Sequence, residues 1–404
     1  MQTSLKIKLS TFNFIQYMVW GSWYVSMGAY MAVTLKFEGQ QIGYAYGAFA
    51  IGSMISPFFT GLIADRFFSS EKMLGVLGIL GGVVLCLMPQ FTTFASFYPM
   101  LILYCALYVP TLALGNSLAL HHLQDSQKDF PRIKIWAAVG WIAGGVILSM
   151  LKGEQSVIQW YLAGTISVCL GLFSFTLPNT PPKKGANASI SELLGLDALA
   201  LLKQRSFAIF IICMFLICIP LYFYFVMMGI YLTEIGWTGI AGKLTLAQVS
   251  DVIFLFSLPF FLKKLGYKKT IFFGILAWML RYYFLAGSVT MMPSVLIFTA
   301  ILLHGVCYDF LFTAGQLYVD SQANEKIRGA SQGFLAFILW GIGSFVGTML
   351  AGKVLARYTD AATALHDWQS IWLVPAVLAT GVMVVFLIFF KEPKKKEEPA
   401  NAEN

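Results

Sequence analysis

Apolar residues run through this chain in long blocks separated by short polar turns, with none of the strict alternation that marks a strand. A window of about 19 residues, the length of a bilayer-crossing helix, finds twelve such blocks. In the first half they lie near 11–35, 42–63, 73–90, 97–120, 133–151 and 158–177; in the second, near 207–232, 245–262, 270–286, 294–318, 331–352 and 371–390. Helices are expected because they satisfy their own backbone hydrogen bonds away from water. Pro178-Asn179-Thr180-Pro181-Pro182-Lys183-Lys184-Gly185 interrupts the pattern after the sixth block. Beyond it, Ile190 to Lys203 has an amphipathic pattern and is expected to lie as a short helix on the membrane surface. The Lys-, Glu- and Pro-rich tail from Lys391 is expected to be disordered.

Composition and charge turn this pattern into a topology. The chain is 58% hydrophobic and 11% charged, against about 25% charged in soluble domains, so its partner is the lipid bilayer. With both termini in the cytoplasm, 21 of the 27 Lys and Arg fall on the inner side. The outer side holds Lys36, Lys152, Lys243, Lys353 and Arg357, and Arg281 lies within a span. That bias fixes the orientation, and the net charge of +8 is therefore topological and implies no nucleic-acid partner. No small-residue cleavage site follows the first block, which is expected to be a retained helix. The six cysteines and four histidines lack disulfide, zinc or redox spacing, and no nucleophile–base pair or phosphate loop occurs. No metal, cofactor or catalytic residue is expected.

An internal repeat orders the spans. Ser56-Pro57-Phe58-Phe59 ends the second block and Pro259-Phe260-Phe261 the eighth, 202 positions on, each before a charged turn. Two parallel six-helix repeats place a binding site at their interface near mid-membrane, with access alternating by rocking. The expected organisation is a six-helix bundle 1–177, a cytoplasmic linker 178–206, a second six-helix bundle 207–390 and the tail 391–404.

Polar residues inside the spans carry the chemistry. Asp309 lies mid-span, where a charge costs about 2.5–3.5 kcal/mol on insertion scales. At 100° per residue it shares a face with Gly305, Thr313, Gln316 and Asp320, and that face either looks into a substrate path or pins the helix to a neighbour. Gln248 and Asp251, three apart, pair an amide with a carboxylate, a combination able to read several ligand groups. Lys134, Ala138 and Trp141 share a face; Lys134 either snorkels to the interface or places a cation at the inner mouth of a cavity. Asn13, Gln16, Trp20 and Trp23 form one stripe, and Tyr104, Tyr108, Thr111 and Gly115 another, each open to a cavity-wall or a packing role. Tyr222, Tyr224 and Phe225 follow Pro220 and would suit stacking on a flat heterocycle, though core packing or lipid contact accounts for aromatics equally. A carboxylate held between burial and a nearby cation can load and unload a proton as its surroundings change. The drive is ample, about 2.3 kcal/mol per charge per 100 mV and about 1.36 kcal/mol per pH unit. Arg281 is a counter-ion either to one of these carboxylates or to a helix end.

Gly61-x-x-x-Asp65-Arg66 resembles the loop signature of the major facilitator superfamily, with Phe68 where its second glycine is usual. Other motifs resemble the bacterial nucleoside:proton symporters: Trp20-Gly21-Ser22-Trp23, Tyr108-Val109-Pro110-Thr111, Asp129-Phe130-Pro131-Arg132-Ile133-Lys134-Ile135-Trp136, Leu194-Gly195-Leu196-Asp197-Ala198, Gln248-x-x-Asp251, Tyr308-Asp309-Phe310 and Asp367-Trp368-Gln369. They run in one order over nearly the whole chain. The resemblance implies a major facilitator fold, an all-α polytopic membrane protein of twelve transmembrane helices in two halves. It implies nucleoside contacts at Gln248, Asp251 and Tyr308, an activity-linked role for Asp309, and a gating loop at Gly61, Asp65 and Arg66. The proton-carrying role read for Asp309 and Asp251 rests on their being the two carboxylates within the second half's spans. Departures are Lys134 for arginine, Ala138 for threonine, Tyr222 and Phe225 for polar amides, and His304 for tyrosine. These leave the base or ribose to be read differently.

The expected substrate site is thus Lys134, Trp141, Tyr222, Phe225, Gln248, Asp251, His304 and Tyr308. The expected function is proton-coupled nucleoside uptake by a monomer across the inner membrane. The alternative is a major facilitator carrier, importer or exporter, for another small polar metabolite such as a sugar or nucleobase.

Overall fold

A computed structural model describes residues 2–59, 68–181, 196–324 and 327–392. Among them the chain is helical, with one isolated bridge between Thr359 and His366. The helices are α1 (Gln2–Gly21), α2 (Gly39–Phe59), α3 (Ser70–Leu87), α4 (Phe94–His122), α5 (Ser126–Met150), α6 (Ile158–Ser174) and α7 (Arg205–Glu234). The run Leu246–Gly287 bends at Gly266 into α8 (246–265) and α9 (267–287); α10 (Pro293–Gln322), α11 (Arg328–Arg357) and α12 (Trp368–Phe389) follow. Eight helical stretches among the described residues are long and apolar enough to cross a membrane. The α8–α9 run counts as one of these.

Most boundaries fall within a few residues of the apolar blocks, and three differences have physical causes. Against a first apolar block near 11–35, α1 starts at Gln2 and stops at Gly21; the chain then turns through Ser22–Ser26 into a short helix, Met27–Ala29, and a wide π turn, Tyr30–Thr34. The charged loop expected between the eighth and ninth blocks is a single-residue bend. Gly266 adopts φ +72°, a conformation open mainly to glycine, and the Glu392 carboxylate accepts the Tyr267 N–H (2.9 Å) that begins α9. In the linker, Leu196–Lys203 is a 3₁₀ helix whose Ala198 and Leu201 are buried where it packs on α7 and the start of α11, so this part is docked on protein instead of lying free on the membrane. The gating-loop residues Gly61, Asp65 and Arg66 lie outside the described residues, as do 182–195 and the tail 393–404.

Packing sorts the helices into a group before residue 178 and a group after 204. In the first, α1 lies along α5 backbone to backbone: a Cβ on Gly144 would stand 2.5 Å from the Met18 carbonyl oxygen. This seam sets Trp20 against Trp141 and Lys134 against Asn13 and Tyr17. In the second, α8 is tied to α10 by Ser250, whose hydroxyl donates to the Leu302 carbonyl (2.5 Å) and accepts the Gly305 N–H (3.2 Å). The Trp278 indole of α9 donates to the Cys307 carbonyl (3.0 Å), and at Asp309 the α10 helix widens into a π turn, Asp309–Thr313.

The two groups meet at the end remote from the N-terminus. There Gly43 of α2 lies against Thr348 and Gly352 of α11. The Ala241 N–H and the Ser149 hydroxyl both donate to Glu154 Oε1 (2.6 Å each), and the Gly242 N–H donates to Ser149 Oγ (2.7 Å). Toward the other end α5 and α8 diverge: exposure rises from buried Trp141 to exposed Pro131 on α5, and from buried Thr245 to Phe256, 69% exposed, on α8.

Candidate functional site

The divergence of α5 from α8 leaves a cavity of about 370 Å³ between the two helix groups, in the usual size range of small-molecule sites. From the first group it is walled by Tyr17, Trp20, Tyr24, Phe49, Lys134 and Trp141, and from the second by Tyr222, Phe225, Gln248, Asp251, His304, Tyr308 and Trp340. Aromatic rings close its inner end. Trp20 stacks on Phe49 (centroids 4.6 Å, 13° between planes) and meets Trp141 edge-on at 5.1 Å. Tyr24 reaches across to Phe225 at 5.5 Å, joining the two groups above the cavity.

Polar groups reach this aromatic chamber from few directions. Lys134 Nζ donates to Asn116 Oδ1 at 3.1 Å, with Tyr17 OH at 3.4 Å and Asn13 Oδ1 at 3.5 Å, and stands 4.9 Å from the centre of the Tyr17 ring. It is paired with no carboxylate among the described residues and is held in a web of neutral acceptors at the cavity wall. Opposite, Gln248 Oε1 and Asp251 Oδ1 are buried without a hydrogen-bond partner in the protein. Buried acceptors left open in this way cost about 1–3 kcal/mol each, a cost that a ligand's donors would remove. Donors on a bound molecule thus belong on the α8 side.

All eight residues expected to bind substrate line this one cavity. The face read around Asp309 is corrected. His304 and Tyr308 face the cavity, one position back, whereas Asp309 is 2% exposed and lies off the cavity wall, its Oδ1 accepting the Thr313 hydroxyl (3.2 Å) and its Oδ2 unpartnered. The π turn Asp309–Thr313 breaks the 100° periodicity only for the positions that follow it. Gly305 is packed against Ser250, Gln316 is exposed and Asp320 forms a surface ion pair with Arg328 (3.1 Å). Asp309 and Asp251 remain near enough to act on each other's charge. Of the first stripe only Trp20 reaches the cavity; Gln16 donates to Thr111 (3.0 Å), and Tyr108 donates to the Gln16 carbonyl (2.8 Å), so the α4 stripe packs α4 on α1. Phe49 and Trp340 belong to the wall with nothing in their local sequence to single them out.

Arg281 pairs with neither carboxylate nor helix end. Fully buried, it stacks on the Tyr224 ring, 3.6 Å from guanidinium carbon to ring centre, and lies 3.1 Å from His304 Nδ1.

The profile of the nucleoside H+ symporter family matches residues 1–395. This chain belongs to the nucleoside H+ symporter family. It is 38% identical over 398 residues to the putative nucleoside transporter YegT of Escherichia coli (strain K12), covering 95% of this chain and 93% of that protein. The nucleoside permease NupG of the same organism is 31% identical, over 96% of each chain, and the crystal structure of nucleoside transporter NupG superposes with a TM-score of 0.87 over 96% of this chain and 100% of that one. A D-xylose–proton symporter, 13% identical over 97% of this chain and 99% of its own, has a TM-score of 0.73 and shares the fold alone. Family members and structural neighbours are transporters, not enzymes. The departures from the motifs, Lys134, Ala138, Tyr222, Phe225 and His304, all fall on the cavity wall.

Proposed function

We propose that this chain crosses the membrane twelve times with both termini in the cytoplasm, as two six-helix bundles, 1–177 and 207–390, joined by the linker 178–206. In this reading it works as a monomer, without cofactor or covalent step. As a nucleoside H+ symporter it is a multi-pass inner-membrane protein that couples nucleoside uptake to protons. The cavity is the nucleoside site. Trp20, Trp141, Tyr222, Phe225 and Tyr308 offer stacking surfaces to the base, each worth about 1–3 kcal/mol in base–aromatic contacts. Gln248 and Asp251 accept the hydroxyl donors of the ribose, and Lys134 meets an acceptor from the opposite wall.

The observation that carries this reading is the convergence of unpartnered acceptors and aromatic planes on one cavity between the helix groups. With the termini inside, the cavity opens to the cytoplasm and the contacts at Gly43 and Glu154 close the outer side. This is the inward-facing state. Rocking about the cavity would part those outer contacts and bring α5 and α8 together below the site. Asp309, one shell behind Asp251, is the proton carrier: a proton there removes a charge that Asp251 feels, and so couples loading of the proton to occupancy of the nucleoside site. Gly61, Asp65 and Arg66 form the gating loop.

The test is uptake of labelled nucleoside into cells or proteoliposomes with an imposed pH gradient. Accumulation should follow the inward proton gradient and collapse with a protonophore. Uptake indifferent to both overturns the coupling, and no nucleoside uptake at all overturns the substrate.

A further inference from the structure

A buried arginine without an acidic partner is expensive, because the desolvated charge is repaid only by what surrounds it. Arg281 is 0% exposed, forms none of the ion pairs found among the described residues, and leaves Nε and one terminal nitrogen unpartnered. Its compensation is the face of Tyr224, with Trp278 at 5.2 Å, and one hydrogen bond, to His304 Nδ1 at 3.1 Å. Packing α9 against α10 needs none of this; an apolar side chain would serve.

The hydrogen bond has only one polarity. A guanidinium has five N–H donors and no acceptor, so Nδ1 must accept and the ring proton must sit on Nε2. Tyr224 and Tyr308 lie nearly parallel to the imidazole, at 6.2 Å and 26° and at 5.6 Å and 27°, and hold the ring plane. The edge bearing Nδ1 is turned to Arg281, and the ring borders the cavity that Asp251 lines from α8. We infer that Arg281 is a positioning residue that fixes His304 as a one-way hydrogen-bond donor in the cavity, so that this wall selects nucleosides whose base presents an acceptor, a carbonyl oxygen or a bare ring nitrogen. The tyrosine of the family pattern at this place could donate or accept; the Arg281–His304 pair cannot accept. Together with the unpartnered acceptors Gln248 Oε1 and Asp251 Oδ1, this gives the cavity a polarity: donors of the ligand toward α8, an acceptor of the base toward α10.

The inference rests on the cavity being the nucleoside site, and the experiment separates the two. Binding to purified protein is measured by calorimetry for natural nucleosides and for matched analogues in which one base acceptor is removed (deaza or deoxo forms). For one acceptor position the wild type should bind the analogue about tenfold more weakly than its parent, whereas His304→Leu should bind the two alike. Arg281→Met should narrow that gap to about threefold or less, and Arg281→Lys, which keeps a donor, should recover most of it. Nitrogen NMR of protein with labelled histidine supplies a readout that mere packing would not move: wild-type His304 should show a single tautomer protonated at Nε2, and Arg281→Met a mixture. A wild-type His304 protonated at Nδ1, or an Arg281→Met protein that keeps the single tautomer and the full gap, overturns the positioning role. Should Arg281→Met not fold, the wild-type tautomer and the His304→Leu comparison still decide. If no natural nucleoside binds wild-type protein, the substrate reading fails first.

Discussion

The seam between α2 and α11 gives the sharpest test of the closed outer side. A Cβ placed on Gly43 would stand 2.6 Å from the Thr348 carbonyl oxygen and 2.8 Å from Gly352 Cα, both backbone atoms of helices that cannot swing aside as a side chain can. That is about 0.8 Å short of ordinary van der Waals contact, and a leucine adds three more carbons to the same gap. Overpacking of this kind costs about 1–3 kcal/mol, and here the cost falls on the state in which the seam is shut. Conformations of a carrier differ by a few kcal/mol, so Gly43→Leu should shift the balance toward the outward-open state by about 5- to 150-fold. Spin labels at Lys36→Cys and Lys353→Cys, exposed positions flanking the seam, would report it as growth of a longer-distance population, in a background without the exposed Cys169. Gly381→Leu is the control, since nothing lies within 4 Å of a Cβ there. A folded Gly43→Leu protein with the wild-type distance distribution would refute the claim that this seam holds the outer side closed.

Glu154→Ala removes the acceptor of the Ala241 N–H and the Ser149 hydroxyl; leaving a buried donor open costs about 1–3 kcal/mol, so the same label pair should shift in the same direction as with Gly43→Leu. Asp309→Asn should bind nucleoside in calorimetry but only equilibrate it in uptake, because an amide cannot cycle a proton; full accumulation against a gradient would remove Asp309 from the coupling. Gln248→Ala should weaken nucleoside binding by about 1–3 kcal/mol, and an unchanged affinity would return Gln248 to a packing role.

The helices and their order were legible because membrane burial writes itself into composition over some twenty residues. The eight cavity residues were legible for a related reason. Lys134, Gln248 and Asp251 are too polar to be idle in an apolar helix, and the motifs around them pointed the same way. What the sequence hid is local departure from ideal geometry. The bend at Gly266 looked like a loop because four lysines surround it, yet one positive φ and the Glu392 cap do the work of several residues. The helical wheel could not say which side of α10 meets the cavity, and the π turn that follows Tyr308 has no compositional signature. Phe49 and Trp340 were invisible for the opposite reason: an aromatic in an apolar helix is common, and only the fold says which of them meets a cavity.

The polar groups are shared unequally between the two helix groups, and that asymmetry bears on coupling. The first group offers the cavity one cation, Lys134, already satisfied by two amides and a phenol, and otherwise aromatic and aliphatic surface. The second lines it with Asp251, Gln248 and His304 and holds Asp309 and Arg281 behind them, all on α8, α9 and α10, which Ser250 and Trp278 bind into one unit. If Asp309 is the proton site proposed above, it and the ligand acceptors move together when the groups rock, and their distance is not what changes. What can change is access: Asp309 is buried off the cavity wall that Tyr308 and Asp251 line. A nucleoside that engages Asp251 orders this wall, and a proton on Asp309 lightens the charge behind it. On that reading each event favours the other through the charge interaction of the two carboxylates, and reciprocity requires that nucleoside affinity rise on protonation by the same factor as proton affinity rises on nucleoside binding. Asp309→Asn, which mimics the protonated carboxyl, should then bind nucleoside at least as tightly as wild type at high pH while abolishing its pH dependence. Binding that stays pH-dependent in that variant would move the coupling proton to Asp251.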